Sequence, residues 1–211
     1  MGNGGVSTLT FSQVALIRGG RLLFEGLDLT LEPGGAAVLR GPNGAGKSSL
    51  IRLAAGLLRP SAGRVEAAPV ALQDERLALE ARRPLAKALA FWCDHARLAP
   101  AMDAMGIGPL RDVPVAWLSA GQRRRAQLAR VVASGAPLWL LDEPANGLDV
   151  DGVERLAAAV ATHRAGGGAV LAAAHGGWTL PDALEFTLAR SSLSRRLGEG
   201  DRLPQAGGGG A

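Results

Sequence analysis

Hydrophobic residues along this chain change from strand-like alternation to helical spacing and back again. Apolar and polar positions alternate at Val6–Phe11 and Leu27–Leu31, and short apolar segments follow at Ala36–Arg40 and Arg64–Leu72. These patterns predict four strands. Between the last two, Lys47–Gly56 is typical of a helix that ends at its glycine.

The middle of the chain predicts helices at Pro84–Leu98, Pro100–Met105 and Ala120–Ala133. The first is expected to be amphipathic, because its apolar residues recur at helical spacing. These residues are Leu85, Ala88, Leu89, Trp92 and Ala96.

The last third returns to strands that alternate with helices. Leu138–Leu141 and Ala169–Ala174 are apolar runs typical of buried strands, Val150–Arg164 lies between them as a helix, and Glu185–Ala189 predicts a last strand. Such alternation indicates an α/β fold with a mainly parallel sheet. A helical insertion is expected to interrupt it at about residues 75–135.

Composition limits the class of protein. The chain has 211 residues, of which 47% are hydrophobic, so it can bury a core and is not intrinsically disordered. Its longest uncharged apolar runs fall short of the roughly 20 residues that a bilayer-spanning helix needs. Met1–Phe11 lacks the basic start and apolar stretch of an export signal. We therefore expect a chain without a membrane span.

The positive net charge of +4 does not by itself indicate nucleic-acid binding. Almost all the basic residues are arginine, with lysine only at Lys47 and Lys87, which together with abundant Ala, Gly and Pro is typical of a GC-rich genome. Cys93 is the single cysteine, so no internal disulfide can form, as expected in a reducing cytoplasm.

One glycine-rich segment carries a phosphate-binding motif. Gly41–Ser48 matches G-x-x-x-x-G-K-[ST] between a predicted strand and a predicted helix. The glycines allow backbone N–H groups to turn toward an anion at the helix N-terminus. Lys47 would neutralise the β- and γ-phosphates, and Ser48 would bind Mg²⁺.

The strand Leu138–Leu141 ends in two acids that would complete such a site. Asp142 would hold Mg²⁺ beside the phosphate loop, directly or through water. Glu143, one residue later, would polarise the attacking water as a general base.

The segment before this strand makes a family resemblance specific. Leu118–Gln122 resembles the signature motif of ATP-binding cassette (ABC) ATPases, and Gly147–Asp149 resembles their D-loop. Gln73 and His175 stand where that family has its glutamine loop and switch histidine. The resemblance implies a P-loop NTPase of the ABC type, with a mainly parallel core, an antiparallel N-terminal β part and a helical subdomain. It implies one domain over residues 1–206. The glycine run that follows predicts a flexible tail at 207–211.

The resemblance also implies roles for individual residues. ATP would lie on Gly41, Pro42, Asn43, Gly44, Ala45, Gly46, Lys47, Ser48 and Ser49. Mg²⁺ would be held by Ser48, Gln73 and Asp142, and catalysis would involve Glu143, His175 and Gln73. The signature residues, which would contact ATP held by a second copy of the chain, are Leu118, Ser119, Ala120, Gly121 and Gln122.

Family geometry places a signature loop far from the phosphate loop of its own chain. A head-to-tail dimer would therefore complete two ATP sites, between which Asp149 would communicate. The chain departs from the family at Ile17–Arg21, where an aromatic residue for adenine stacking is missing, and Arg18 would stack by its guanidinium plane instead. Ala145 replaces a common threonine, a minor departure.

Two stretches make the resemblance specific to one group within the ABC ATPases. The signature followed by Arg123–Arg125, and the segment Ala136–Pro144, are similar to the ATP-binding subunits (CcmA type) of the bacterial haem exporter of cytochrome c biogenesis. This implies ATP and Mg²⁺ as cofactors, and a peripheral position on the cytoplasmic face of the inner membrane. Separate integral membrane subunits would dock near Gln73 and the helical insertion.

Three alternatives remain open at this point. The chain could serve another small ABC exporter, or be a non-transport ABC ATPase that acts on nucleic acid, although such proteins usually carry two cassettes or a long insertion. A nucleotide-binding regulator without hydrolysis is the third, against which Glu143 and His175 argue.

Several conspicuous residues are expected to be structural. Cys93 and His95 do not share a helix face, so a metal site is not expected there. Arg123–Arg125 points in three directions on a helix and is expected near a dimer or partner surface. His163, near a helix end, is expected to be solvated or to offset the helix dipole. The four tryptophans, expected in the core or on docking surfaces, are Trp92, Trp117, Trp139 and Trp178.

Overall fold

The structure is a computed structural model that describes residues 7–73, 79–93, 95–174 and 178–188. Within these ranges the chain forms eight strands, five α-helices and two short 3-10 helices. The strands are β1 (Leu9–Arg18), β2 (Arg21–Leu31), β3 (Ala36–Arg40), β4 (Ala62–Ala67), β5 (Val70–Gln73), β6 (Leu138–Asp142), β7 (Ala169–Ala173) and β8 (Leu184–Thr187). The α-helices are α1 (Lys47–Ala54), α2 (Leu85–Ala90), α3 (His95–Ala104), α4 (Ala120–Ala133) and α5 (Val150–Ala165), and the 3-10 helices are Gly108–Leu110 and Val115–Trp117.

The strands form two sheets. An antiparallel sheet has the order β2-β1-β4, and a five-stranded parallel sheet has the order β5-β6-β7-β3-β8. Strands β1 and β2 form a hairpin whose turn residues, Gly19 and Gly20, both have positive φ, as a two-residue hairpin turn requires. The predicted α/β fold, with its parallel core, antiparallel N-terminal part and helices, is confirmed.

The parallel sheet is covered on both faces, which explains why its strands are nearly continuous apolar runs. Successive side chains of a strand point to opposite faces. On β6, Leu138 and Leu140 pack with α1 and the antiparallel sheet, whereas Trp139 and Leu141 pack with α4, α5 and the helical insertion. The carboxyl ends of the strands are left free to carry a site.

The prediction of a single strand over Arg64–Leu72 is wrong. The segment is divided between β4, in the antiparallel sheet, and β5, at the edge of the parallel sheet. Pro69 lies between them and has no backbone N–H to donate to a ladder, so continuous pairing is interrupted there.

The prediction of one helix over Pro84–Leu98 is also wrong. Helix α2 buries Leu85 and Leu89, and α3 buries Leu98 and Met102, but these two sets are out of phase by about half a turn. A continuous helix could not bury both, so the chain breaks between α2 and α3. Trp92, expected on the buried face, is 45% exposed, and Ala96 is exposed as well.

The other boundaries shift by a few residues. Ala36–Arg40 and Ala120–Ala133 agree with β3 and α4, whereas the first predicted strand starts later, at Leu9, and continues to Arg18. The helix expected at Pro100–Met105 is the second half of α3. Val6, Ala189 and the glycine tail lie outside the described residues.

None of the helices in the described part of the chain is long and apolar enough to cross a bilayer. The longest, α5, has 16 residues, against the roughly 20 that a span needs.

Candidate active site

The phosphate-loop segment connects β3 to α1 at the carboxyl edge of the parallel sheet. Gly41 has φ 131°, and a Cβ atom there would lie 2.3 Å from the carbonyl oxygen of Leu188, so only glycine fits. Gly46, with φ 107°, occupies the N-cap position of α1 without contributing a side chain. The N–H groups of the first turn are therefore available to an anion.

Lys47 lies inside this loop and is 6% exposed. Its Nζ donates to the carbonyl oxygens of Gly41 at 2.7 Å and Pro42 at 3.2 Å. Burial lowers the pKa of Lys47 from its ordinary value, and the charges of Glu143 and Asp142 oppose that shift. The ammonium group thus lies in the field of two carboxylates.

The phosphate loop and the end of β6 meet at Ser48 and Asp142. Ser48 Oγ donates to Asp142 Oδ1 at 3.1 Å. A hydroxyl and a carboxylate oxygen are ligands that suit Mg²⁺, which usually takes one or two protein ligands and completes its shell with phosphate oxygens and water. In the described ranges, no group of three or more His, Cys, Asp or Glu residues could form a metal site from protein ligands alone. The pair therefore fits a magnesium ion that binds together with a nucleotide.

Glu143 follows β6 in an unusual backbone conformation, with φ 52°. Its N–H donates to the Ala173 carbonyl oxygen at 2.8 Å, and its own carbonyl oxygen accepts from the Asn146 N–H at 3.2 Å. Its carboxylate accepts a hydrogen bond from the Asn146 side-chain amide. Glu143 lines a cavity of about 310 Å³ together with Lys47 and Ser48. The predicted base therefore faces the phosphate loop.

Arg18 lies at the mouth of the same cavity, at the end of β1. It is exposed, and its Nη1 donates to Ser49 Oγ at 3.3 Å. The sequence reasoning missed Leu23, which also lines the cavity and packs against Gly46. The available signal was its place near the start of β2, three residues after the hairpin turn. Adenine stacking by Arg18 stays a prediction.

Gln73 ends β5 and is completely buried. With its amide oriented so that the oxygen accepts from Arg124 Nη1, its nitrogen donates to the Asp142 carbonyl oxygen at 3.3 Å. The side chain thus touches the backbone of the acidic strand, and its predicted contact with Mg²⁺ or water would require the amide to turn. His175, predicted to be the switch histidine, lies outside the described residues.

The signature segment starts α4 with a capping box. Ser119 Oγ accepts from the Gln122 N–H at 3.2 Å, and the Ser119 N–H donates to Gln122 Oε1 at 2.9 Å. Leu118 is buried, whereas Ser119 and Ala120 are exposed. A second cavity of about 390 Å³ is lined by Ser119 and Gly121 of this segment, by Asp149 and by neighbouring residues.

This second cavity and the phosphate-loop cavity have no lining residue in common among those that the structure describes. The signature and the phosphate loop of one chain thus line separate cavities. Each cavity therefore contains only part of the set of residues that is predicted to contact ATP.

Arg123–Arg125 was expected near a dimer or partner surface, and its members lie in three different environments. Arg123 is exposed, Arg124 is 7% exposed, and Arg125 pairs with Asp149 and with Asp151, the latter at 2.7 Å. The hydrogen bond from Arg125 is the main reason why the pKa of Asp149 is lowered.

Arg124 was missed by the sequence reasoning as a residue of the site. It donates to the carbonyl oxygens of Asp142 and Glu143. Arg124 lies on the same face of α4 as the buried Leu128 and Val131, and this helical spacing could have indicated that its side chain is buried.

The remaining conspicuous residues lie away from the phosphate loop. Cys93 is half-buried and its Sγ donates to the Leu89 carbonyl oxygen at 3.2 Å. His163 is half-buried and stacks on Trp139, with ring centroids 3.9 Å apart, so the expectation of a solvated histidine is wrong. Trp139 belongs to the core, whereas Trp117 is 78% exposed.

Comparisons with known proteins agree with this geometry. Residues 24–146 match the sequence family of ABC transporters. The cytochrome c biogenesis ATP-binding export protein CcmA of Sphingopyxis alaskensis is 58% identical over 186 residues, covering 85% of this chain and 96% of the relative. CcmA of Zymomonas mobilis is 45% identical and covers 90% of each chain.

Solved structures support the fold. A putative ABC transporter ATP-binding protein from Pyrococcus furiosus superposes with a TM-score of 0.75 at 19% identity, covering 85% of this chain and 96% of that one. A putative metal-chelate type ABC transporter in an inward-facing conformation also gives 0.75, at 21% identity, covering 87% and 80%. From the motifs, the geometry and these relatives, we conclude that the chain belongs to the ABC transporter ATPases and, within them, to the CcmA group of cytochrome c biogenesis ATP-binding export proteins.

Proposed function

We propose that this chain hydrolyses ATP at the loop Gly41–Ser48 to power the haem exporter of cytochrome c biogenesis, working as a dimer of two copies. The observation that carries the proposal is the contact between Ser48 Oγ and Asp142 Oδ1 at 3.1 Å. It joins the phosphate loop to the acidic strand end, with Glu143 facing the same cavity as Lys47.

In the proposed reaction, backbone N–H groups of the loop and the ammonium of Lys47 bind the β- and γ-phosphates. Ser48 and Asp142 would hold Mg²⁺, which when bound neutralises charge on the phosphates. Glu143 accepts a proton as water attacks the γ-phosphorus and the bond to ADP breaks. His175 would hold that water and the γ-phosphate, and Gln73 would turn toward them to report the nucleotide state.

The proposed dimer is head-to-tail. Its support is that the signature residues Ser119 and Gly121 line a cavity separate from that of Lys47. A two-fold axis would bring the signature cavity of one copy onto the phosphate-loop cavity of the other and complete both sites. ATP would then hold the dimer together, with Asp149 at the contact, and hydrolysis would release it.

The cargo and the partners are also part of the proposal. The relatives are named for export in cytochrome c biogenesis, and the family works in complexes with membrane subunits. We infer a peripheral position on the cytoplasmic face of the inner membrane, with the membrane subunits near Gln73 and the helical insertion. Phe91 and Trp92, both exposed, are apolar residues available there. Residues 1–206 would act as one ATP-binding domain.

The first test is Glu143→Gln, with Glu154→Gln as a matched control, because Glu154 is an exposed glutamate on α5. We expect Glu143→Gln to leave only a small residual turnover yet to accumulate an ATP-stabilised dimer, measured by phosphate release and by size-exclusion chromatography with light scattering. The control should behave like the native chain. Undiminished turnover in Glu143→Gln would overturn the assignment of the base.

The second test addresses the cargo. In a host whose own CcmA is deleted, the chain should restore c-type cytochromes, detected by haem staining, and Glu143→Gln should not. A chain that hydrolyses ATP but fails to restore them together with its cognate membrane subunits would overturn haem export and leave the ATPase in place.

A further inference from the structure

One guanidinium group, that of Arg124, joins three segments of the candidate site. Arg124 lies on α4, two residues after the signature motif, and is 7% exposed. Its Nη2 donates to the carbonyl oxygen of Asp142 at 3.3 Å and to that of Glu143. Its Nη1 lies 3.4 Å from Gln127 Oε1 and also donates to the Gln73 amide oxygen in the orientation described above.

The backbone of Glu143 requires such support. A residue other than glycine with φ 52° is in the left-handed region, which is unfavourable unless the surroundings hold the backbone there. The Ala173 carbonyl oxygen fixes the Glu143 N–H, and the Asn146 N–H reaches its carbonyl oxygen at 3.2 Å. Arg124 adds a charge-assisted hydrogen bond to that same oxygen, which is stronger than a neutral one.

We propose that Arg124 is a positioning residue, which fixes the peptide of Glu143 so that its carboxylate faces the phosphate loop. The inference rests on the proposed function, because it takes Glu143 as the general base. Arg124 belongs to the signature helix, whereas Glu143 ends a core strand. Displacement of that helix relative to the strand therefore alters the hydrogen bond, and the signature of each chain sets the geometry of its own base.

Three variants separate positioning from a general loss of stability. Arg124→Gln removes the charge and shortens the side chain, Arg124→Lys keeps the charge, and Arg59→Gln makes the same change at an exposed arginine beyond the C-terminal end of α1. Fluorescent-ATP binding, thermal unfolding, kcat and KM are measured for each full-length protein. We expect kcat of Arg124→Gln to fall about 10- to 100-fold, as misplacement of a reacting group does, with nucleotide Kd within about twofold of native. Arg124→Lys should recover part of kcat, and Arg59→Gln should match the native chain.

A double-substitution comparison tests whether Arg124 acts through Glu143. In a Glu143→Gln background, Arg124→Gln should cause no further loss of the residual rate, because residues that act as one unit are not additive. Unchanged kcat in folded Arg124→Gln, or an equal further loss in both backgrounds, would overturn the inference while leaving the proposed function. Absence of ATPase activity in the native chain would overturn both. If Arg124→Gln does not fold, Arg124→Lys decides by the same comparisons.

Discussion

Removing the ammonium group of Lys47 is the most direct test of the phosphate loop. Lys47 is 6% exposed, and its ammonium group donates to the carbonyl oxygens of Gly41 and Pro42, so the group already lies within the loop. The chain has only one other lysine, Lys87, which is exposed on α2. Lys47→Ala and Lys87→Ala therefore form a matched pair that removes the same side chain inside and outside the site.

The expected magnitude follows from the kind of contact. A hydrogen bond to a charged group contributes about 1.5–3 kcal/mol, which corresponds to about a 10- to 150-fold increase in the Kd for ATP. At a concentration 100 times the native Kd, ATP should stabilise the native fold by about 2.7 kcal/mol. A tenfold weaker variant should retain only about 1.4 kcal/mol of that stabilisation at the same concentration.

Isothermal titration calorimetry gives the Kd, and thermal unfolding with and without ATP gives the stabilisation. Thermal unfolding without ATP is the control for folding. Lys47→Ala loses two loop hydrogen bonds, and we expect this loss to change the stability without ATP much less than it changes ATP binding. Lys87→Ala should bind ATP like the native chain. Equal ATP affinity in Lys47→Ala and the native chain would refute the assignment of this loop as the phosphate site.

Three further predictions test the fold around the site. Ser119→Ala removes half of the capping box and should cost about 1 kcal/mol, or about 2–4 °C in Tm, measured by thermal unfolding; an unchanged Tm would contradict the cap. Burial lowers the pKa of His163 in the folded protein, so the folded state favours the neutral imidazole. The free energy of unfolding should therefore fall as the pH drops below about 6.5, the ordinary pKa of histidine, toward the lowered pKa of the folded state. This loss, followed by urea unfolding at several pH values, should be smaller in His163→Phe, and an identical pH dependence would refute the assignment. Leu140→Ala should cost about 2–5 kcal/mol in urea unfolding, whereas Leu57→Ala, at a 61% exposed position, should cost far less; equal costs would contradict the core described for the parallel sheet.

The parts of the site that sequence predicted well are those fixed by local backbone. The loop Gly41–Ser48 needs glycine at Gly41 and Gly46, because both adopt φ values that side chains disfavour. The contact of Ser48 with Asp142 was predictable from topology, since parallel strands end at one edge of a sheet. Both inferences need only the order of strands and one motif.

The missed features depend on contacts between distant segments. Arg124 is one of three successive arginines, and its burial depends on carbonyl groups 18 and 19 residues later in the chain. The break after α2 depends on two buried sets that are each helical but out of phase. His163 was expected to be solvated or to offset the helix dipole, because its place at a helix end does not reveal that its ring stacks on Trp139. Local periodicity indicates the type of a segment but does not show how distant segments pack against one another.

The placement of α4 connects the two incomplete sites of this chain. Its first turn carries Ser119 at one cavity, and the next turn carries Arg124 against the backbone of Glu143 at the other. Arg125, on a third face of α4, binds Asp149 at the start of α5. Helix α4 lines the signature cavity and holds the backbone of Glu143, which lines the phosphate-loop cavity. Because a helix is kept rigid by its own hydrogen bonds, displacement at the signature is expected to be transmitted to this contact. Contact between a second copy and the signature is therefore expected to act on the geometry of Glu143, which gives a physical reason why hydrolysis would await a completed dimer.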